Sequence, residues 1–389
     1  MTIVIAGGGT GGHVFPMIAV GDAIRAAEPE ARVVYVGTAR GIEVRVMGER
    51  GDALELLDIL PLRGGGLTGF ARGAARAFGS IPEALGLIRR LDARAVLSLG
   101  GYAGGPVTLA ARALGVPIAI LEPNSVLGLS NRLLVPLVDR AYIAFPETAC
   151  GLRPSTVRRY GVPLRRAFAR AHYATPPRGG GLSLLVLGGS QGATALNETV
   201  PRAIQRARAA GVDVEVVHQT GREREEKVRA LYADLGLAER ARVVPFIDDV
   251  AAALAAADLV LARAGASTVA EICAVGRPAL LVPYPFAADD HQMKNARSLE
   301  RAGGAIALAQ ADATEDRIAA ELGRLAANPE ERARMADAAA AFGKPDAAAR
   351  VAADLVDLAR GGRPVGRRTW RERLQQARPG AARGLEEAR

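Results

Sequence analysis

Residues 3–13 read IVIAGGGTGGH, a short apolar strand followed directly by a glycine-rich loop. Residues 184–192 repeat this arrangement as LLVLGGSQG. A strand, a glycine turn and a helix N-terminus together present unpaired backbone N–H groups and the positive end of a helix dipole, which is a geometry that holds phosphates. Two such loops predict two similar α/β halves that face each other across a cleft, with anionic ligands bound between them.

The rest of the chain supports this organisation. Apolar strands alternate with Ala-, Leu- and Arg-rich helical stretches, which is typical of parallel α/β sheets. The pattern predicts helices at 16–27 and 194–209 after the two loops, and strands at 2–6, 32–37, 95–99, 118–121, 141–144, 182–187, 212–218, 242–245, 259–262 and 279–282. Prolines and the glycine triplet at 179–181 mark a connector between the halves. We therefore predict an α/β chain with two Rossmann-like domains facing a central cleft. The predicted segments are a domain at 1–160, a connector at 161–181, a domain at 182–343, a helix at 344–360 and a basic, flexible tail at 361–389.

Composition and charge exclude several classes of protein. The net charge is +9, but residues 360–389 hold nine arginines against three glutamates, which leaves a nearly neutral body. Such a body argues against a dedicated nucleic-acid binder. Cys150 and Cys273 lack metal-ligand spacing, so we expect two buried thiols. No secretory signal and no run of about 18 apolar residues is present, which predicts a soluble cytoplasmic protein.

The first loop formally matches the dinucleotide-binding fingerprint through Gly7, Gly9 and Gly12. That site needs an acidic residue at the end of the second strand to bind the ribose hydroxyls. Here the second strand ends as VGTAR over residues 36–40, and no acid stands there. We therefore do not favour a nicotinamide-dependent dehydrogenase.

A second helix start points to nucleotide-sugar chemistry. Residues 264–271 read AGASTVAE after a predicted strand, so Ser267 and Thr268 fit an N-cap and the small residues leave room for a diphosphate. Glu271 lies one turn inside this helix, where a carboxylate can accept hydrogen bonds from two ribose hydroxyls. It is equally explained as a favourable charge near a helix N-terminus.

The polar stretch at 283–296, PYPFAADDHQMKNA, leads from a strand end into a helix and offers the planar amides and carboxylates that sugar hydroxyls need. Asp289, Asp290 and His291 are contiguous, which favours an N-capped helix start over a metal site. His13 lies at the mouth of the proposed cleft. It is either a structural histidine or a proton acceptor.

Together these residues resemble the MurG family of bacterial cell-wall glycosyltransferases. The resemblance covers roughly residues 2–358, in order and across both halves. The matching stretches are 8–16 (GGTGGHVFP), 37–43 (GTARGIE), 61–66 (PLRGGG), 99–106 (LGGYAGGP), 121–132 (LEPNSVLGLSNR), 187–192 (LGGSQG), 245–249 (PFIDD), 263–268 (RAGAST) and 283–296.

The resemblance implies a GT-B fold and an inverting, metal-independent N-acetylglucosaminyltransferase without a cofactor. Its donor would be UDP-GlcNAc and its acceptor the 4-hydroxyl of lipid I, undecaprenyl-pyrophosphoryl-MurNAc-pentapeptide. The product would be lipid II for peptidoglycan synthesis, on which cell shape and division depend. The alternative is another GT-B enzyme acting on UDP-GlcNAc, with a different acceptor or as a 2-epimerase. An epimerase would need catalytic carboxylates and histidines in the cleft and no lipid.

The resemblance also implies the donor contacts. From the C-terminal half these are Ser190, Ile247, Ala266, Ser267, Thr268, Val269, Ala270, Glu271 and Gln292. Ser190 would contact the nucleotide, Ile247 the uracil through its backbone, and Gln292 the sugar hydroxyls. The helix start at 266–271 would bind the diphosphate, with Glu271 on the ribose.

The remaining implied contacts come from the first half and the connector. Asn124 and Arg165 would close on the donor. Thr10, Gly11 and Gly12 would face the acceptor pyrophosphate, and His13 would be the general base or would orient the acceptor. Two positions depart from the family pattern: Pro123 replaces a glutamine before Asn124, and Val162 replaces an asparagine near Arg165.

A lipid-linked acceptor implies contact with an anionic inner-membrane surface. Residues 63–90 place Leu67, Phe70 and other apolar residues among arginines, which suits an interfacial patch. The same pattern also fits an amphipathic helix packed on the sheet. We expect a peripheral protein at the cytoplasmic face of the bacterial inner membrane, with cell-wall synthesis proteins as further partners and no nucleic acid.

Overall fold

The computed structural model describes residues 1–8, 11–39, 41–57, 79–173, 181–189 and 192–361, without the side chain of Tyr102. The strands of the first half are β1 (Thr2–Ala6), β2 (Arg32–Thr38), β3 (Leu54–Leu57), β4 (Ala93–Ser98), β5 (Ile118–Glu122), β6 (Arg140–Ile143) and β7 (Val157–Arg159). Its described helices are α1 (Gly11–Ala27), α2 (Glu43–Arg50), α3 (Ile81–Arg90), α4 (Gly101–Ala113) and α5 (Leu129–Leu134).

The second half has the same plan. Its strands are β8 (Leu182–Leu187), β9 (Val214–Gln219), β10 (Ala241–Val244), β11 (Leu259–Ala262), β12 (Ala279–Leu281) and β13 (Ala305–Ala307). The described helices are α6 (Thr194–Ala209), α7 (Glu225–Asp234), α8 (Val250–Ala256), α9 (Ala266–Val275), α10 (His291–Arg301), α11 (Glu315–Ala327), α12 (Pro329–Phe342) and α13 (Ala347–Ala359).

Both sheets are parallel and doubly wound. The first has the order β3-β2-β1-β4-β5-β6-β7 and the second the order β10-β9-β8-β11-β12-β13. The first six positions therefore match strand for strand, and the strand order reverses between β1 and β4 and between β8 and β11. Ile3, Val4 and Ile5 are fully buried because helices cover both faces of the sheet. The predicted pair of Rossmann-like domains is confirmed.

The chain passes between the domains twice. After α12 it returns to the first domain, where α13 packs Val351 and Leu355 into the core beside α1. Asp354 anchors this helix: it accepts a hydrogen bond of 2.8 Å from the Tyr142 hydroxyl and pairs with Arg140 at 3.2 Å. The predicted C-terminal helix thus belongs spatially to the first domain.

The connector also packs against the second domain. Val162, Leu164 and Phe168 lie in the hydrophobic core that fills one face of the second sheet. Val162 is only 3% exposed, so an apolar side chain suits this position, where the sequence departs from the family pattern. The two domains are therefore joined by a continuous apolar interface at the hinge.

Several local predictions were wrong. Helix α1 begins at Gly11 and not at Pro16, because the glycines that suggest a loop form its first turn. Strands β3, β7 and β13 are three or four residues long and were not predicted. Cys273 is buried as expected, but Cys150 is exposed because it follows a short 3-10 turn at the surface.

Candidate functional site

The predicted site residues that the structure describes lie near the carboxyl ends of the parallel strands or on the connector between the domains. Gly8 follows β1 and Asn124 follows β5 in the first sheet, while Ile247, Ala266 and Gln292 lie beyond β10, β11 and β12 in the second. Ligands of doubly wound sheets bind at this edge, beside the reversal of strand order. Thr10 and Ser190 lie outside the described residues.

His13 lies in the first turn of α1, with its ring against the first glycine loop. Its Nδ1 is 3.2 Å from the backbone oxygen of Gly8. A carbonyl oxygen only accepts, so Nδ1 carries the proton and Nε2 of the neutral ring keeps its lone pair. Gly101 allows this close approach: a Cβ there would lie 3.2 Å from the Gly8 oxygen and 3.7 Å from His13 Nδ1. In this tautomer, Nε2 is the ring atom that can accept a proton.

A buried carboxylate, that of Glu43, packs against Gly8 of the same loop. Glu43 is fully buried, and its Oε1 accepts hydrogen bonds from the backbone N–H and hydroxyl of Thr38 at 3.0 and 3.3 Å. Three glycines make room for it. A Cβ added at Gly8, Gly37 or Gly41 would lie 2.3, 2.6 or 1.8 Å from a Glu43 side-chain atom. Sequence reasoning missed this role, although Glu43 closes the GTARGIE stretch.

This packing predicts that Gly37→Ala is destabilising by about 1–3 kcal/mol, because the new methyl group overlaps the fully buried side chain of Glu43. The matched control is Gly86→Ala in α3, where no described atom outside the neighbouring helix backbone lies within 4 Å of the added Cβ. That change should stabilise the protein by about 0.5–1 kcal/mol through helix propensity. Urea unfolding of both variants measures the difference, and equal midpoints would contradict the role of Glu43.

Helix α9 presents its N-terminus to the cleft. Its N-cap is Gly265, in an extended conformation, and not Ser267 or Thr268 as predicted. Both hydroxyl residues lie instead inside the first turn. The Ser267 hydroxyl is buried and has no hydrogen-bond partner among the described residues. The N–H groups of a helix first turn and a buried hydroxyl without a partner among the described residues are groups that can donate hydrogen bonds to an anion.

Arg165 and Glu271 lie close enough to interact electrostatically. Burial raises the pKa of the half-buried Glu271 to about 7, while the positive charge of Arg165 lowers it. The Arg165 guanidinium lies 5.7 Å from the ring centre of Phe15 and 6.0 Å from that of Phe168. Phe15 in turn packs beside Gly11, where an added Cβ would meet its ring at 3.3 Å. The first loop and the α9 helix are thus linked through Arg165.

Gln292 lies in the first turn of α10, with one end of its amide already engaged. Its Oε1 accepts a hydrogen bond of 3.0 Å from the backbone N–H of Tyr284. Its NH₂ group is therefore the end that can donate to a sugar hydroxyl. Asp289 and Asp290, which precede α10, both have φ of +53°, and Asp290 makes no side-chain cap bond. A helix begins here as predicted, but the Asp290 side chain does not cap its first turn as the sequence suggested.

Asn124 contacts both domains. Its Nδ2 donates to Glu122 Oε1 at 3.2 Å, and its Oδ1 accepts from Asn295 Nδ2 at 3.2 Å. Pro123 does not displace it, because Glu122 also accepts the backbone N–H of Asn124 at 3.1 Å. Asn295 was missed by sequence reasoning. It lies three residues after Gln292, so helical spacing places both on one face of α10.

Ile247 lines a groove of about 770 Å³ on one face of the second sheet. Leu185, Val217 and Phe246 form apolar parts of the same wall. An apolar wall of this kind can pack against a planar ring. Val269 is buried in α9 and Ala270 is half-buried beside it. Ile247 follows β10 and α9 follows β11, so the predicted uracil and diphosphate positions lie at the same edge of the second sheet, with β9 and β8 between those two strands.

Each half of the chain matches a known family domain. Residues 3–143 match the glycosyltransferase family 28 N-terminal domain and residues 183–351 the glycosyltransferase family 28 C-terminal domain. The chain is 77% identical, over 92% of its length and 89% of the relative, to the UDP-N-acetylglucosamine--N-acetylmuramyl-(pentapeptide) pyrophosphoryl-undecaprenol N-acetylglucosamine transferase of Sorangium cellulosum. The crystal structure of Acinetobacter baumannii MurG matches with a TM-score of 0.77 at 31% identity, covering 92% and 99% of the two chains.

The chain belongs to the MurG family of glycosyltransferase family 28. The GT-B fold of the MurG family is thereby confirmed. A putative UDP-N-acetylglucosamine 2-epimerase from Listeria monocytogenes also matches, with a TM-score of 0.67 over 92% of this chain and 96% of the other. Its sequence identity is 17%, so this likeness shows the fold alone.

The MurG-family resemblance also implied a membrane surface at residues 63–90. Residues 63–78 lie outside the described residues. In the described part, Leu87 is buried and Leu85 packs against the core of the first domain, so these two belong to a helix packed on the sheet. No helix among the described residues is long and apolar enough to cross a bilayer. Within that same set, no three His, Cys, Asp or Glu side chains are grouped to hold a metal ion.

Proposed function

We infer that this chain transfers N-acetylglucosamine from UDP-GlcNAc to the 4-hydroxyl of the muramyl sugar of lipid I, which gives lipid II for peptidoglycan synthesis. The observation that carries this conclusion is the 77% identity over 92% of the chain to a relative named as a transferase between these substrates. The two family 28 domains support the enzyme class, since together they span both halves of the cleft.

The donor is held mainly by the second domain. The first-turn N–H groups of α9 and the Ser267 hydroxyl bind the diphosphate and stabilise the negative charge that develops on the departing UDP. Glu271 accepts the ribose hydroxyls, and the amide NH₂ of Gln292 donates to the sugar. Because helix dipole and N–H groups supply this stabilisation, we propose that transfer proceeds without a metal ion.

The first domain supplies the acceptor side. Gly11 and Gly12 open α1 and present N–H groups to the acceptor pyrophosphate. His13 Nε2 takes the proton of the 4-hydroxyl as that oxygen attacks the anomeric carbon from the face opposite UDP, which inverts the configuration. Closing the domains aligns the two substrates and excludes water.

A lipid-linked acceptor requires the protein to work at a membrane surface. We propose peripheral binding at the cytoplasmic face of the bacterial inner membrane. Support comes from the arginine-rich composition of 360–389 and of 63–90, since basic residues are attracted to anionic lipid headgroups. Flotation with vesicles that contain or lack an anionic lipid measures this attraction directly.

The direct test is a transfer assay with radiolabelled UDP-GlcNAc, a lipid I analogue and EDTA, in which label is counted in the lipid fraction. Label moving to lipid without metal is the expected result. Parallel reactions without the lipid, and with Glu271→Ala, show the background. If UDP-GlcNAc binds but no label reaches the lipid, the acceptor assignment is wrong. Transfer only after excess Mg²⁺ replaces EDTA would refute metal independence.

A further inference from the structure

One buried amide lies where three parts of the site meet. Asn295 on α10 is fully buried, and its Oδ1 accepts a hydrogen bond of 2.8 Å from the backbone N–H of Ser125. Its Nδ2 donates to Asn124 Oδ1 at 3.2 Å and to the backbone oxygen of Ala264 at 3.1 Å. The first two partners belong to the first domain, and Ala264 leads into the diphosphate helix α9.

We propose that Asn295 is a positioning residue that couples closure of the two domains to the donor site. The proposal rests on the proposed function, because it concerns the alignment of that donor with an acceptor in the first domain. Asn295 is fully buried and both polar atoms of its side chain are hydrogen-bonded to protein groups. It acts through Asn124, through Ala264 and through Gln292, which lies on the same face of its own helix.

The loop that Asn295 contacts is tied to the rest of the first domain by several hydrogen bonds. Glu122 is 3% exposed and accepts hydrogen bonds from the Asn124 and Gly128 backbones and from Asn131 Nδ2, all between 2.9 and 3.1 Å. Thr148 donates to the Asn124 carbonyl at 2.8 Å. The loop therefore moves with the first domain as one body. The hydrogen bonds between this loop and Asn295 form only when the first domain contacts α10 of the second domain. Asn295 therefore stabilises the closed arrangement of the two domains.

A second interdomain contact on α10 provides the control. Ser298, one turn after Asn295, donates to both carboxylate oxygens of Glu147 at 2.9 and 3.1 Å. Arg301 pairs with the same carboxylate. Burial raises the pKa of Glu147, but these hydrogen bonds outweigh it and the pKa is lowered. This contact also joins the domains, but its hydrogen bonds go to Glu147 and not to the loop at 124–125 or to Ala264.

The experiment compares Asn295→Ala and Asn295→Asp with Ser298→Ala. Asn295→Ala leaves a cavity and Asn295→Asp does not. Both variants lose the hydrogen bonds that Nδ2 donates to Asn124 and to the Ala264 carbonyl, so an effect common to both variants is attributed to those two bonds. We expect kcat for transfer to lipid I to fall about 10- to 30-fold in both, as for the loss of buried bonds made only in the closed state. The Kd for UDP should change less than about threefold, and Ser298→Ala should keep kcat within about threefold of wild type.

Either of two outcomes would overturn the proposal: a kcat near wild type in both Asn295 variants, or an equal loss in Ser298→Ala. Small-angle scattering with saturating UDP-GlcNAc provides a second readout that needs no acceptor. Wild type should be more compact than Asn295→Asp, and identical radii of gyration would refute the coupling. If wild type closes on UDP-GlcNAc but transfers nothing to lipid I, the proposed acceptor is wrong while the coupling stands.

Discussion

Replacing His13 with alanine is expected to lower kcat for transfer about 10²- to 10⁴-fold, the usual contribution of a positioned general base. The hydrogen bond from Nδ1 to the Gly8 oxygen holds the ring so that Nε2 is the basic atom. Without that atom the 4-hydroxyl of the acceptor must attack without losing its proton to the enzyme. Single-turnover transfer to lipid I measures the loss, and UDP affinity should stay unchanged because the donor binds the other domain.

The control for this prediction is His172→Ala. His172 is exposed on the connector, and the bond that involves it uses its backbone oxygen, which alanine keeps. Its turnover should match wild type. His13→Gln adds a second test, since glutamine can still donate to Gly8 but cannot accept a proton as a base. If His13→Gln retains most of the activity, His13 orients the acceptor and is not the base.

Much of the fold was predictable because its signals are local. The strand-loop-helix units at 3–13 and 184–192 follow from short apolar runs that end in glycine, and Thr194–Ala209 was predicted with its observed bounds. The short strand Val157–Arg159 was not, because three residues at a sheet edge carry no periodicity. The N-cap of α9 was assigned to Ser267 by residue preference, whereas the extended backbone of Gly265 decides where the helix begins.

The parts of the site that escaped prediction depend on long-range contacts. Asn295 and Ser125 are 170 positions apart, and no spacing rule connects them. Glu43 looks like an ordinary helix residue until Gly8, Gly37 and Gly41 are seen to surround its carboxylate. Individual roles for Gly11, Arg165 and Glu271 were proposed from the resemblance, but their connection through Phe15 appears only once the domains are assembled.

The second large effect is expected at Glu271. Glu271→Ala should weaken UDP-GlcNAc binding about 100-fold, because two hydrogen bonds to a charged acceptor are lost. Glu271→Gln keeps one amide oxygen and should lose about tenfold. Isothermal titration at pH 8 measures both. Glu49→Ala is the control, since it removes an exposed carboxylate from α2 of the first domain and should leave donor affinity unchanged. Unchanged affinity in Glu271→Ala would remove Glu271 from the ribose site.

The pH dependence separates a ribose contact from a mere helix-end charge. The pKa of Glu271 is raised to about 7 in the free protein, chiefly by burial, so the carboxylate is largely protonated at pH 6. Hydrogen bonds from ribose need the ionised form, and the diphosphate of UDP-GlcNAc has no proton to lose near neutrality. Wild-type affinity should therefore rise about tenfold from pH 6 to pH 8 and then level off. Glu271→Gln should show no such rise.

The raised pKa of Glu271 also makes the stability of the fold depend on pH. Stability falls over the pH range in which donor affinity rises. A carboxyl whose pKa is higher in the folded than in the unfolded protein binds its proton more tightly when folded, so stability falls as pH rises from about 4.5 to about 7. Glu271→Gln removes that loss. It should match wild type near pH 4 and exceed it at pH 8 by on the order of 1–3 kcal/mol in urea unfolding. If Glu271→Gln is more stable than wild type but binds UDP-GlcNAc more weakly, Glu271 serves donor binding and lowers stability. If the variant is more stable and keeps full affinity, Glu271 has no part in the donor site.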